Sequence, residues 1–156
     1  MPELRKDPVI GRWVIIATER ARRPDQFASA AEKEELAPGE KCPFCQGNES
    51  MTPPEIYALR KPGTKPNMPG WDVRVVPYMF PLLHIEGDLN RRGIGVFDLC
   101  NGIGAHEVIV ESPDHHRQMA DLTIEELAEV IKAFKHRSLD LRGDRRLKYA
   151  LIFKNF

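Results

Sequence analysis

The chain has 156 residues, of which 42% are hydrophobic and 29% charged. That is the balance of one globular domain, long enough to bury a core without disulfide staples. Lys+Arg and Asp+Glu both number 23, so the formal net charge is zero, which removes the electrostatic case for a duplex nucleic-acid binder or a polybasic membrane binder.

Taken in chain order, residues 12–18, Arg-Trp-Val-Ile-Ile-Ala-Thr, follow Gly11 and predict a strand because β-branched residues dominate. Residues 19–24, Glu-Arg-Ala-Arg-Arg-Pro, read as a basic loop. Residues 28–41 are rich in Ala, Glu and Lys and break at Pro38-Gly39, as an exposed loop or a short, poorly anchored helix would. Cys42-Pro43-Phe44-Cys45 and the polar turn Gln46-Gly47-Asn48-Glu49 come next, stiffened by Pro53-Pro54. Residues 61–70 are a turn-dense connector, and residues 71–76, Trp-Asp-Val-Arg-Val-Val, alternate like a half-buried strand. Residues 86–104, with five glycines and Arg91-Arg92, read as a long loop, and residues 105–111 as a third strand.

The longest periodic segment is residues 123–141. Thr123 with Glu126 forms a capping-box pair, and Leu127, Val130, Ile131, Phe134 and Leu141 mark one apolar helical face, with Gly143 as a stop. Residues 147–153, Leu-Lys-Tyr-Ala-Leu-Ile-Phe, predict a fourth strand. The order implies an α+β domain, one helix packed on one mainly antiparallel sheet. No apolar run approaches the roughly 18 residues of a membrane span, and MPELRKDPVIGRW has no signal-peptide core. An odd count of three cysteines, Cys42, Cys45 and Cys100, fits a reducing cytoplasm rather than a disulfide framework. Cys100 reads as a small buried residue.

Two constellations carry chemistry. A Cys-x-x-Cys turn supplies two thiolates from one bend, and zinc needs four ligands in a tetrahedron. The histidine candidates are His84, His106, His115, His116 and His136, and the 115–116 pair, in a loop at a strand end, is preferred. A redox pair or spare thiols are the alternatives. A redox motif would want a strand before it and a helix opening at it, whereas the preceding segment is polar. Arg20, Arg22 and Arg23 form the second constellation. Guanidinium groups gathered at a strand end can grip phosphate oxygens, though the same residues also suit a solvated loop. Gly93-Ile94-Gly95 follows no predicted strand and opens no helix, so no dinucleotide or P-loop fingerprint is present. Ser112, Asp114 and His115 lie too close along one loop for a catalytic triad.

Several segments line up in order: Leu4-Arg5-Lys6-Asp7-Pro8, Gly11-Arg12-Trp13-Val14, Glu19 to Pro24, Cys42 to Cys45 with Gly47-Asn48-Glu49, and Thr52-Pro53-Pro54-Glu55. Val73-Arg74-Val75-Val76-Pro77, Phe80-Pro81, Gly104 to Glu111, Pro113-Asp114-His115 and Ile152-Phe153-Lys154-Asn155 follow. On these motifs, spread over essentially the whole chain, the sequence resembles the N-terminal part of the galactose-1-phosphate uridylyltransferase family, in the histidine-triad superfamily.

The resemblance implies a histidine-triad-like α+β domain over residues 1–156 and a ping-pong transfer of a uridylyl group from UDP-glucose to a hexose 1-phosphate through a uridylyl-histidine. Nucleophilic catalysis of this kind splits one hard displacement into two easier ones, with fixed donors holding the phosphoryl charge. It further implies zinc on Cys42, Cys45 and His115, phosphate contacts from Arg20, Arg23 and Asn155, and apolar groups near the base from Phe44 and Val108. A cytoplasmic enzyme, homodimeric in full-length form, with no nucleic-acid or membrane partner, completes the expectation.

Two departures stand out. Tyr78 takes the place of an asparagine that the family uses on the nucleotide. The family's His-Pro-His motif, which holds the fourth zinc ligand and the nucleophile, would come after Asn155, whereas Phe156 ends this sequence. The domain is therefore expected to be incomplete at its C-terminal end and inactive alone, with no catalytic residue assigned. The alternatives are a zinc-stabilised nucleotide-binding domain without catalysis, or a relative acting on ADP-glucose or dinucleoside polyphosphates. The apolar run Tyr149 to Phe153 would be association-prone if left unpaired.

Overall fold

The computed structural model describes residues 2–17 and 42–154. The chain opens with β1 (Glu3–Lys6) and β2 (Trp13–Ile16), then after the cysteine turn forms a 3-10 turn (Glu49–Met51), β3 (Tyr57–Arg60) and β4 (Trp71–Pro77). β5 (Arg92–Ile94), β6 (Phe97–Asn101), β7 (Glu107–Val110), a second 3-10 turn (Met119–Asp121) and the helix α1 (Ile124–Leu141) follow. The strands make two sheets, ordered β2-β1-β6-β5 and β3-β4-β7, and every strand pairing within them is antiparallel. The architecture is α+β, as expected, but with two sheets in place of one.

The helix lies on the second sheet, against β3 and β4. Its N-terminus forms because Thr123 accepts from the Glu126 N–H while the Glu126 carboxylate accepts from the Thr123 N–H, which satisfies two donors that no helical carbonyl can reach. Val73 and Val75 of β4 meet Val130 and Ala133 of α1, and Tyr57, Leu59, Ile109, Met119, Leu122 and Phe134 close round them. The apolar face is shifted from the predicted one. Ile131 is exposed, and Ala133 and Arg137 occupy the buried stripe. Arg137 is tolerated there because it forks onto both Glu107 oxygens at 2.7 and 2.8 Å and also bonds Asp140.

β4 is buried on both faces rather than on one. Val73 and Val75 face the helix, while Arg74 and Val76 are equally buried on the other side. The run 86–104 is not one long loop. Arg92–Ile94 and Phe97–Asn101 pair as a hairpin about Gly95, whose φ of +58° supplies the reversal. Past β6, the Gly102 N–H reaches the Pro2 carbonyl at 2.8 Å, and a β-carbon on Gly102 would sit 2.9 Å from that oxygen, so only glycine fits. β1 and β3 were not anticipated, being four residues each. The strand expected over 147–153 does not form. This segment makes no ladder among the described residues, and Tyr149, Leu151, Ile152 and Phe153 are exposed. β-propensity without an available partner edge does not make a strand. The predicted loops 19–24 and 28–41 lie outside the described residues.

Candidate metal centre

The sequence after Cys42 folds into a chain of tight turns. The Cys45 N–H donates to the Cys42 carbonyl at 3.3 Å, and the Asn48 N–H to the Cys45 carbonyl at 3.2 Å. The Asn48 side-chain amide closes the turn by donating to the Cys42 carbonyl at 2.9 Å. Gly47 takes a φ of +94°, which residues with a β-carbon rarely adopt. The two cysteine side chains are thereby presented from one bend.

The opposite side of the centre comes from the loop after β7. Ser112 Oγ accepts from the Asp114 N–H at 3.1 Å, and Asp114 Oδ1 accepts from the His116 N–H at 3.0 Å. These side-chain-to-backbone bonds curl the loop and bring His115 Nδ1 to 3.3 Å from Cys45 Sγ. One ligand atom each from Cys42, Cys45 and His115 lies within 4.8 Å of the others. Tetrahedral zinc, with bonds of about 2.3 Å to sulfur and about 2.0 Å to nitrogen, sets neighbouring ligand atoms about 3.5–3.8 Å apart. The three residues therefore fit such an ion in donor type and in spacing. Cys45 is buried, Cys42 half-buried and His115 exposed, so the group opens to solvent on the histidine side.

Three other histidines make ring contacts. His116 stands edge-on to His115 with ring centroids 5.2 Å apart. His106 packs against Tyr78 at 4.6 Å and accepts the Leu82 N–H on Nδ1, and His136 stacks on Tyr57 at 4.0 Å. Ser112 and Asp114 spend their side chains on loop N–H groups, so no triad forms. The Cys100 thiol is pushed above its ordinary value by burial, against the pull of Arg91 and Arg92, as suits an inert core thiol.

Of the residues expected at a nucleotide, Phe44 sits half-buried in the cysteine turn. Val108 lies on β7 opposite Val76, on the sheet face away from the helix, because Glu107 and Ile109 on either side point toward α1. Tyr78 continues β4, where its N–H donates to the His106 carbonyl at 2.8 Å and its ring meets Phe80 edge-on. Arg20, Arg23 and Asn155 lie outside the described residues. Sequence reasoning missed the buried ion pair of Arg74 with Glu55, which packs beside this turn through Thr52 and the Glu49 carbonyl.

Residues 83–156 match the family model described as galactose-1-phosphate uridyl transferase, N-terminal domain. That match ties the C-terminal half of the chain to the galactose-1-phosphate uridylyltransferase family. An ADP-glucose phosphorylase of Arabidopsis thaliana is 35% identical over 99% of this chain, and a galactose-1-phosphate uridylyltransferase of Haemophilus influenzae is 28% identical over a similar span. The chain covers 43% and 41% of those two relatives, under half of their length. Among solved structures, the Arabidopsis ADP-glucose phosphorylase with bound ADP-glucose superposes with a TM-score of 0.53 at 31% identity, over 96% of this chain and 41% of that one. A uridylyltransferase structure, 22% identical, shares the fold with a TM-score of 0.55, over 90% of this chain and 36% of that one.

Proposed function

We propose that residues 1–156 form one domain, the N-terminal part of a zinc-containing nucleotidyltransferase acting on a nucleoside diphosphate hexose, with ADP-glucose as the preferred donor. The observation that carries the class is the junction of Cys42, Cys45 and His115, whose ligand atoms lie within 4.8 Å of one another and which the family resemblance implies as zinc ligands. The 35% identity to a phosphorylase of ADP-glucose, maintained along the chain, supports the adenine nucleotide. Tyr78, in place of the family's asparagine, also fits a change of base, since a phenol offers a ring to pack and an O–H to donate.

In this reading zinc is a cross-link that fixes the cysteine turn against the loop after β7. Arg20, Arg23 and Asn155 hold the phosphates, and Phe44, Val108 and Tyr78 lie toward the base. None of the five histidines is assigned as nucleophile. With phosphate as acceptor, the reaction moves the adenylyl group to phosphate and releases glucose 1-phosphate, so that ADP-glucose and phosphate give ADP and glucose 1-phosphate. The same proposal places the protein in the cytoplasm, where a reducing environment keeps metal-binding thiols from pairing as disulfides. Among the described residues no helix is long and apolar enough to cross a membrane. The full-length form as a homodimer belongs to the same proposal.

Transfer of uridylyl from UDP-glucose to a hexose 1-phosphate is the second reading, favoured by the family model that covers residues 83–156. Calorimetric titration of the zinc-loaded protein with ADP-glucose and UDP-glucose separates the two. The first reading expects ADP-glucose to bind at least about tenfold tighter, a difference of about 1.4 kcal/mol. Equal affinities, or a preference for UDP-glucose, would replace it with the second.

A further inference from the structure

Beside the three ligand residues lies a second set of buried contacts that the chemistry above does not use. Glu49 is 5% exposed and Trp71 is fully buried. A carboxylate that far from water is costly unless its oxygens are bonded. One oxygen of Glu49 accepts the Trp71 Nε1–H at 2.8 Å, and the other accepts the Gly47 N–H at 3.0 Å. A second rung runs in the opposite direction, where Gln46 Nε2 donates to the Trp71 carbonyl at 2.8 Å. Trp71 opens β4, and β4 pairs with β7, the strand whose following loop carries His115.

We propose that Glu49 and Trp71 are positioning residues of the metal centre: they lock the Cys42–Cys45 turn in its ligating shape and fix it to the strand that also sets the height of His115. The proposal rests on the zinc reading given above. Glu49 acts through Gly47, whose N–H it holds in a left-handed turn two residues beyond Cys45. Trp71 acts through Glu49 and Gln46 together. A turn already held in its binding shape spares the metal the cost of ordering it, and residues that support metal ligands in this way are worth 10–100-fold in affinity.

Both Glu49 bonds need an acceptor oxygen. Glu49→Gln keeps the shape but offers one acceptor and one NH2, so either Gly47 or Trp71 loses its partner. Trp71→Phe removes the indole N–H and leaves one Glu49 oxygen buried without a donor. The test is zinc affinity by chelator competition, together with the visible spectrum of the Co2+-substituted protein. We compare wild type, Glu49→Gln, Trp71→Phe and Val130→Ala, the last weakening the core under α1.

The expected result is a 10–100-fold loss of zinc affinity in Glu49→Gln and Trp71→Phe. Their Co2+ d–d bands should be weaker and shifted, while Val130→Ala keeps the wild-type values for both. Should circular dichroism show Trp71→Phe unfolded, Gln46→Ala takes its place, since that side chain is exposed, and a several-fold loss is expected. Affinities within twofold of wild type with unchanged Co2+ spectra overturn the clasp, as does an equal loss in Val130→Ala. A wild-type protein that takes up no zinc overturns the metal reading itself, and the clasp with it.

Discussion

Arg74 is 1% exposed, and each of its three guanidinium nitrogens donates to a fixed acceptor: Glu55 at 3.1 Å from Nε, Thr52 Oγ1 at 2.9 Å and the Glu49 carbonyl at 3.4 Å. Glu55 in turn is shared with Arg60. Removing one partner of a buried pair leaves the other charge uncompensated, at about 3–5 kcal/mol. Glu55→Ala should fall near the lower end, because Thr52 and the Glu49 carbonyl remain. The check is urea unfolding followed by fluorescence. A midpoint within experimental error of wild type would show that the pair is not structurally needed. The sequence offered no sign of this pair. An arginine between Val73 and Val75 reads as the solvent side of an alternating strand, and its partner is 19 residues away. The cysteines were easier to read, because thiolate spacing is local and metal chemistry admits few residue types. Choosing His115 over His116 needed the family resemblance. The loop geometry brings His115, not His116, against Cys45.

At the scale of elements, α1 depends on its first turn. The Glu126 carboxylate is held down to about 2, first by the side-chain bond from Arg117 and then by the Thr123 N–H. Its folded value lies below the ordinary 4.5, so its stabilisation is complete above about pH 4.5 and is lost as the pH falls toward about 2. Asp144, also lowered to about 2 by Arg146, adds to the same acid limb just past the helix. Helicity followed at 222 nm against pH should therefore decline over that window, and Glu126→Gln should flatten the decline while lowering stability at pH 7. A mutant acid limb that overlays the wild type would rule out this origin. Thr123→Ala removes the other half of the box and should cost about 1 kcal/mol. The helix was readable because cap and periodicity lie within one segment. The β5–β6 hairpin was not, since Arg92–Ile94 is three residues long and its glycines resemble a loop. The opposite error, a strand over 147–153, has the same root: a strand's existence depends on a partner edge that composition does not reveal.

For the molecule as a whole, β4 serves as the common rail. Its helix-side valines meet α1, its first residue holds the cysteine turn, and its neighbour β7 leads to His115. A metal on Cys42, Cys45 and His115 would tie together residues 70 apart in sequence. The unfolded chain must close that loop before it can bind, so the ion favours the folded state. Zinc at a hundredfold excess over its Kd should stabilise the fold by about 2.7 kcal/mol. The expected outcome is a thermal midpoint that rises by several degrees with zinc and falls with a chelator. Cys42→Ser and His115→Ala should each abolish most of the zinc dependence, because either one leaves two ligands of the three. Thr123→Ala should lower the midpoint with and without zinc while leaving the zinc-induced rise intact, because its cap lies outside the metal group. A midpoint indifferent to zinc and chelator would mean that the junction of the cysteine turn with the β7 loop stands on hydrogen bonds and packing alone.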